Sequence, residues 1–166
     1  MKLLILHLSD LHVRHRGSPI VERAAAIVAA VRSVETDLDA AALVLTGDIA
    51  FSGKDAEYLE AMELIGRIVS GLEAALDFKE GSLQQVPCIS VPGNHDCDLS
   101  ADQGARAILT ANTLQSPGQA PTPSVISMCI EPQANFFNFL ASTEIIKRGP
   151  ATSASLAALS YRYDLA

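Results

Sequence analysis

Apolar residues fall into two rhythms along this chain. Short, nearly unbroken runs occur at Lys2 to Leu8 (KLLILHL), Ala41 to Thr46 (AALVLT) and Val86 to Val91 (VPCISV). Runs of that length, closed by Gly, Pro, Asp or Ser, read as strands. Between them, apolar residues recur every three or four positions. Ile20, Ala24, Ile27, Val31 and Val34 form one helical stripe, opened by Ser18 as cap and Pro19 in the first turn. Tyr58, Met62, Ile65, Val69, Leu72 and Leu76 form a second, on a helix from Asp55 to about Leu76 with a capping box at Ser52 and Asp55. Strands alternating with helices predict an α/β fold with a mainly parallel sheet and right-handed crossovers.

The pattern changes after the third strand. Ser100 with Gln103 predicts a cap and a short helix to about Ala111. Asn112 to Pro132 then carries Pro117, Pro121, Pro123 and Pro132 among Ser, Thr and Gln, which predicts a long loop or mobile insertion. Gln133 to Lys147 reads as a helix bearing Phe136, Phe137, Phe139 and Leu140, a core group rather than a stacking platform for bases. Tyr161 to Leu165 (YRYDL) alternates like the opening of another strand. The expected organisation is one domain over residues 1–166: a motif-bearing α/β part (1–98), the Pro-rich loop (112–132), then a helix and the start of a strand (133–166).

Composition narrows the class. Hydrophobic residues make up 49% and charged residues 19%, as in a globular domain. The net charge of −7 disfavours non-specific nucleic-acid binding, which needs Lys and Arg against phosphate. A phosphate-bearing substrate stays open, nucleic acid included, because bound divalent cations invert the local sign. MKLLILHL starts like a signal peptide, but His7 breaks it and SDLH follows instead of a cleavage site. No stretch is long enough to span a membrane. The expected location is cytoplasmic, with no membrane partner. Cys88, Cys97 and Cys129 match no zinc spacing and read as reduced thiols.

All three strands end on polar, metal-competent residues. The first ends in SDLH (Asp10, His12), the second in TGD (Asp48), the third in PGNHD (Asn94, His95, Asp96). Carboxyl ends of parallel strands gather on one edge of the sheet, where ligands bind. Carboxylate, imidazole and amide oxygen suit hard to borderline divalent metals. Asp10 and His12, two apart, point the same way if the backbone is extended. Asp48 has two oxygens with which to bridge two metals, and Asn94 has one for the second. Two ions about 3.5–4 Å apart clamp a phosphate and generate a hydroxide nucleophile. His95 would then face substrate and protonate the leaving oxygen, with Asp96 orienting the ring. Gly47 and Gly93 allow a sharp turn and close backbone approach.

DxH, GD and GNHD, each after a strand and in this order, resemble the calcineurin-like metallophosphoesterase superfamily over Met1 to about Asp98. The resemblance implies a layered αββα fold and two divalent ions, manganese foremost, with iron or zinc as alternatives. It implies hydrolysis of phosphomonoesters or phosphodiesters. Mapped onto this chain, it implies Asp10 and His12 on the first metal, Asp48 bridging, Asn94 on the second, and His95 with Asp96 as the catalytic pair. HLSDLH, TGDIAFSGK and VPGNHD also resemble members at the front of large multidomain bacterial proteins, ahead of an NTPase module.

The family pattern continues with a later lone His and a GHxH motif. The four histidines here are His7, His12, His15 and His95, so those later ligands are missing. The expectation is therefore the first half of the fold, continuing into further chain, and a phosphoester hydrolase when the domain is complete. The alternative is an inactive, metallophosphoesterase-like binding or regulatory module of a larger protein. GDIAFSGK is not a phosphate-binding P-loop: five residues separate Gly47 from Gly53 where that motif has four, and Asp55 follows Lys54 where Ser or Thr would hold magnesium. His7 reads as packing. Arg14, His15 and Arg16 read as exposed, with contact to a substrate phosphate as the sharper alternative. Asp98 reads as a cap before the Ser100 helix.

Overall fold

The computed structural model describes residues 1–14, 17–33, 37–80, 85–100, 103–115, 118, 120, 122–142, 152–155 and 160–163. Strands β1 (Leu3–Leu8), β2 (Ala40–Thr46) and β3 (Cys88–Val91) form a parallel sheet in the order β1-β2-β3. Leu3 pairs with Ala40 and Leu8 with Leu45, and Leu43 pairs with Cys88 and Thr46 with Val91. This register brings the three carboxyl ends to the same edge, as the three apolar runs predict.

The sheet is buried unequally. Leu4, Leu6 and Leu8 of β1, with Ala41, Leu43 and Leu45 of β2 and Cys88 of β3, join the hydrophobic core. The opposite face is more open, with Leu3 49% and Ile5 55% exposed, because strand residues alternate in direction. Helices supply the other half of the core, two of them after β1 and β2 in the chain. Val21–Arg23 forms a 3-10 turn that leads into α1 (Ala24–Val31), and α2 runs Asp55–Ala75. On α2, Ala61, Leu64, Ile65, Ile68, Val69 and Leu72 are buried, a face wide enough to cover the sheet. Its N-terminus is closed not by a Ser52–Asp55 box but by Glu57. The Glu57 carboxylate accepts from the backbone N–H groups of Lys54 and Ser52 and from the Ser52 hydroxyl.

The Pro-rich segment differs from expectation. Helix α3 runs Gln103–Leu114, three residues past the expected end, and α4 occupies Pro123–Ile130. Pro123 sits in the first turn of α4, where a missing N–H costs nothing, and the Thr122 hydroxyl accepts from the Val125 N–H. Pro132 lies in a 3-10 turn, Glu131–Gln133, leading directly into α5 (Ala134–Ser142). Asn112–Pro132 is therefore partly helical. Pro117, Pro121 and the expected extension of α5 to Lys147 lie outside the described residues. Phe136 and Phe139 are core, and Phe139 stacks on Tyr58 of α2 with ring centroids 5.1 Å apart. Strands β4 (Thr152–Ser155) and β5 (Ser160–Tyr163) pair antiparallel as a separate hairpin that contains the start of YRYDL. Among the described residues no helix is long and apolar enough to cross a membrane.

Candidate metal centre

The segments after β1 and β2 are laced together before any side chain is considered. Asp10 N–H donates to the Gly47 carbonyl at 3.3 Å, His12 N–H to that of Asp48 at 2.9 Å, and Val13 N–H to that of Ile49 at 2.8 Å. Phe51 N–H returns the bond to the Val13 carbonyl at 3.0 Å. The backbone is not extended at Asp10 and His12, as simple alternation suggests. Both are in the left-handed region, with φ 55° and 45°, and so is Asp48 at φ 53°. Non-glycine residues rarely adopt it, and such strain gathers where the surrounding structure imposes a functional geometry. Asp37 is the other non-glycine case among the described residues.

The segment after β3 is pressed against Asp48. A Cβ added at Gly93 would fall 2.1 Å from Asp48 Oδ1, and one at Gly47 would fall 2.8 Å from the Gly93 Cα. Only glycine fits either position. Asp48 Oδ1 accepts the His95 N–H at 2.9 Å, which fixes the carboxylate and leaves Oδ2 available.

Ligand atoms of His12, Asp48 and His95 lie within 4.8 Å of one another. The His12 and His95 rings meet edge to face, centroids 4.6 Å apart. Asp10 stands at the rim, its Oδ1 3.8 Å from His12 Nε2, and is more exposed than His12. The Asn94 side chain is exposed, on the residue between Gly93 and His95. His12 Nδ1 is buried with no hydrogen-bond partner among the described residues. A buried polar atom left so is unfavourable. A His12 ring with one orphaned nitrogen, the Asp48 carboxylate and a second imidazole make a donor set that suits a divalent ion. The residues present fit a metal.

His95 and Asp96 do not pair as expected. His95 Nδ1 lies 2.7 Å from the Phe51 carbonyl oxygen. A carbonyl only accepts, so Nδ1 carries a hydrogen and Nε2 is the ring atom free for chemistry. Asp96 turns inward and is fully buried. Its carboxylate accepts from the N–H groups of Ala50 (2.8 Å), Gly93 (2.9 Å) and Ile49 (3.2 Å) and from the Tyr58 hydroxyl (3.1 Å). It braces the Asp48 segment against the His95 segment rather than orienting the ring. Burial pushes its pKa up, opposed by those hydrogen bonds, and burial beside Asp96 pushes the Tyr58 phenol up strongly.

Two residues outside the three motifs also border the site. The Phe51 carbonyl anchors His95, while its ring sits 5.7 Å from the His95 ring and 6.1 Å from that of His12. Arg14 lays its guanidinium 3.6 Å above the centroid of that same ring. A lone aromatic three positions after Asp48 is the signal for Phe51. His15 and Arg16 lie outside the described residues. His7 pairs with the Thr46 hydroxyl at 2.6 Å and is not part of the trio. Asp98 caps Ser100, accepting from its N–H at 3.0 Å and its hydroxyl at 2.5 Å. Cys88 is buried, its thiol pushed up to about 12, which makes it inert. Cys97 is half-buried and likewise raised by burial.

Among curated proteins no significant match to the chain was found. The family model of calcineurin-like phosphoesterase, by contrast, matches residues 3–157. The match takes in all three strand ends and every side chain gathered around them. The chain belongs to the calcineurin-like phosphoesterase family.

Proposed function

We propose that this site hydrolyses phosphoester bonds with divalent metal ions as cofactor, manganese ahead of iron or zinc. The observation that carries the reading is the trio His12, Asp48 and His95 within 4.8 Å, with one His12 ring nitrogen buried and unpartnered. Asp10 and His12 would hold one ion, Asp48 would be shared between the two, and Asn94 would supply an amide oxygen to the second. When bound, the ions supply Lewis acidity toward a phosphoryl oxygen and a water acidic enough to act as nucleophile near neutral pH. His95 does the proton chemistry. Its Nδ1–H is committed to Phe51, so the proton it gives to the leaving oxygen comes from Nε2. Asp96 acts through the backbone, keeping the Asp48 and His95 segments in register.

The test is manganese-dependent hydrolysis of bis(p-nitrophenyl) phosphate by the full chain and by Asp48→Asn. Loss of turnover in the variant supports the reading, and unchanged turnover overturns it. His95→Gln separates two roles for the imidazole. Lost turnover with manganese affinity retained makes it the proton donor, whereas lost affinity makes it a ligand.

One observation favours a second reading. Among the described residues His12 and His95 are the histidines in the trio, and that donor set suits one ion better than two. The site would then be a metal-holding binding or regulatory module. It would bind manganese without turning over either phosphomonoesters or phosphodiesters.

A further inference from the structure

Arg14 carries a guanidinium that nothing described neutralises. Among the described residues its contact is the Phe51 ring, 3.6 Å beneath its central carbon. The side chain is exposed, two positions after His12. Stacking on an aromatic face fixes the guanidinium plane while leaving its N–H edges uncommitted. The platform is itself part of the metal centre, because the Phe51 carbonyl holds His95 Nδ1 and the ring borders both imidazoles. A cation is thus pre-oriented one ring away from His12 and His95. Holding a long, flexible side chain in one geometry loses entropy, and a stacked guanidinium has lost part of it before an anion arrives. Guanidinium geometry matches a phosphoryl group through two parallel N–H donors.

We propose that Arg14, stacked on Phe51, binds the non-bridging oxygens of the phosphoryl group presented to the metal centre. This rests on the phosphoester reading above, but it is a statement about binding and separates from turnover. Phe51 would serve twice, through its carbonyl for His95 and through its ring for the substrate-binding cation.

Inorganic phosphate is the probe. Its binding to the manganese-loaded full chain is measured by titration calorimetry for the native protein, Arg14→Gln and Arg14→Lys. Arg14→Gln is expected to weaken phosphate by about tenfold to a hundredfold, the range for hydrogen bonds to charged groups. Arg14→Lys should fall between, because it keeps the charge and loses the fork and the stack. Manganese affinity should not fall in either variant, because Arg14 is no ligand and losing a nearby cation favours a bound one, and the thermal midpoint should shift little, since the side chain is exposed. Phosphate binding unaltered in Arg14→Gln, or absent from the native protein, overturns the proposal. If phosphate binds in an Arg14-dependent way while no ester is hydrolysed, the Arg14 assignment stands and the hydrolase reading falls. Where turnover is present, Arg14→Gln should raise KM for bis(p-nitrophenyl) phosphate. An effect on kcat alone, with KM and phosphate affinity unchanged, also overturns it.

Discussion

The hydroxyl of Tyr58, on the buried face of α2, donates to the fully buried carboxylate of Asp96 at 3.1 Å. This bond ties the helix that covers the sheet to the loop that carries His95. Tyr58→Phe removes one of the four donors and should lower unfolding free energy by about 1 kcal/mol. Asp96→Asn should lower it by about 2–3 kcal/mol, because an amide turns one acceptor into a donor facing backbone N–H groups. Urea denaturation reads both. An Asp96→Asn protein as stable as the native one would mean that Asp96 is not the brace.

Gly93 offers a second, purely steric test. A methyl there falls 2.1 Å from Asp48 Oδ1, so the carboxylate must move. Gly93→Ala should reduce manganese affinity by at least about tenfold, in the range seen when the support of a ligand is disturbed. Gly104→Ala is the control, since a Cβ meets nothing within 4 Å there and Gly104 lies in α3. It should leave manganese affinity alone and be neutral or stabilising. Equal affinities in native and Gly93→Ala protein would refute the close packing.

The strands and the site edge were legible in sequence because burial on a parallel sheet writes itself as unbroken apolar runs. Each run here is followed by a carboxylate or an imidazole. Position along the sequence says much less about direction. His95 and Asp96 are neighbours, yet one reaches Phe51 and the other turns into the core, because a turn sends successive side chains apart. The left-handed backbone at Asp10, His12 and Asp48 is imposed by the hydrogen bonds that lace two loops, which no local pattern records. Pro123 misled for a related reason. Proline breaks a helix interior but starts a helix well, and only the cap at Thr122 distinguishes the two.

Asp39 and Lys79 give the fold a small pH signature remote from the metal centre. Lys79 Nζ lies 2.9 Å from Asp39 Oδ1, joining the start of β2 to the segment after α2. The bond to Lys79 holds the Asp39 carboxyl below its usual range, helped by the Lys2 backbone N–H, and the same bond raises Lys79. A depressed carboxylate stabilises fully above its unfolded pKa and loses that contribution as pH falls through the folded value. A raised ammonium stabilises below its unfolded pKa and loses that contribution as pH rises through the folded value. The pair therefore contributes a flat, small increment across neutral pH, fading in acid and in strong alkali. Asp39→Asn should melt slightly lower at neutral pH, with the difference closing in acid. A difference that persists in acid would assign the effect to packing.

His12 sets stability against function in one residue. Without metal its buried Nδ1 is unpartnered and its backbone is left-handed, so His12→Asn should cost the metal-free protein little or even stabilise it. Asn tolerates that backbone better than most residues. With metal the order should reverse. A ligand at a hundredfold excess over Kd adds about 2.7 kcal/mol to the folded state, which for a chain of this size raises Tm by roughly 5–10 °C. The native protein should show that rise with manganese and lose it on adding a chelator, and His12→Asn and Asp48→Asn should show a much smaller one. The crossing is the informative result: a variant at least as stable as native without manganese and less stable with it. If His12→Asn destabilises the metal-free protein as much as the metal-loaded one, His12 is there for packing and the metal centre must be rebuilt around other residues.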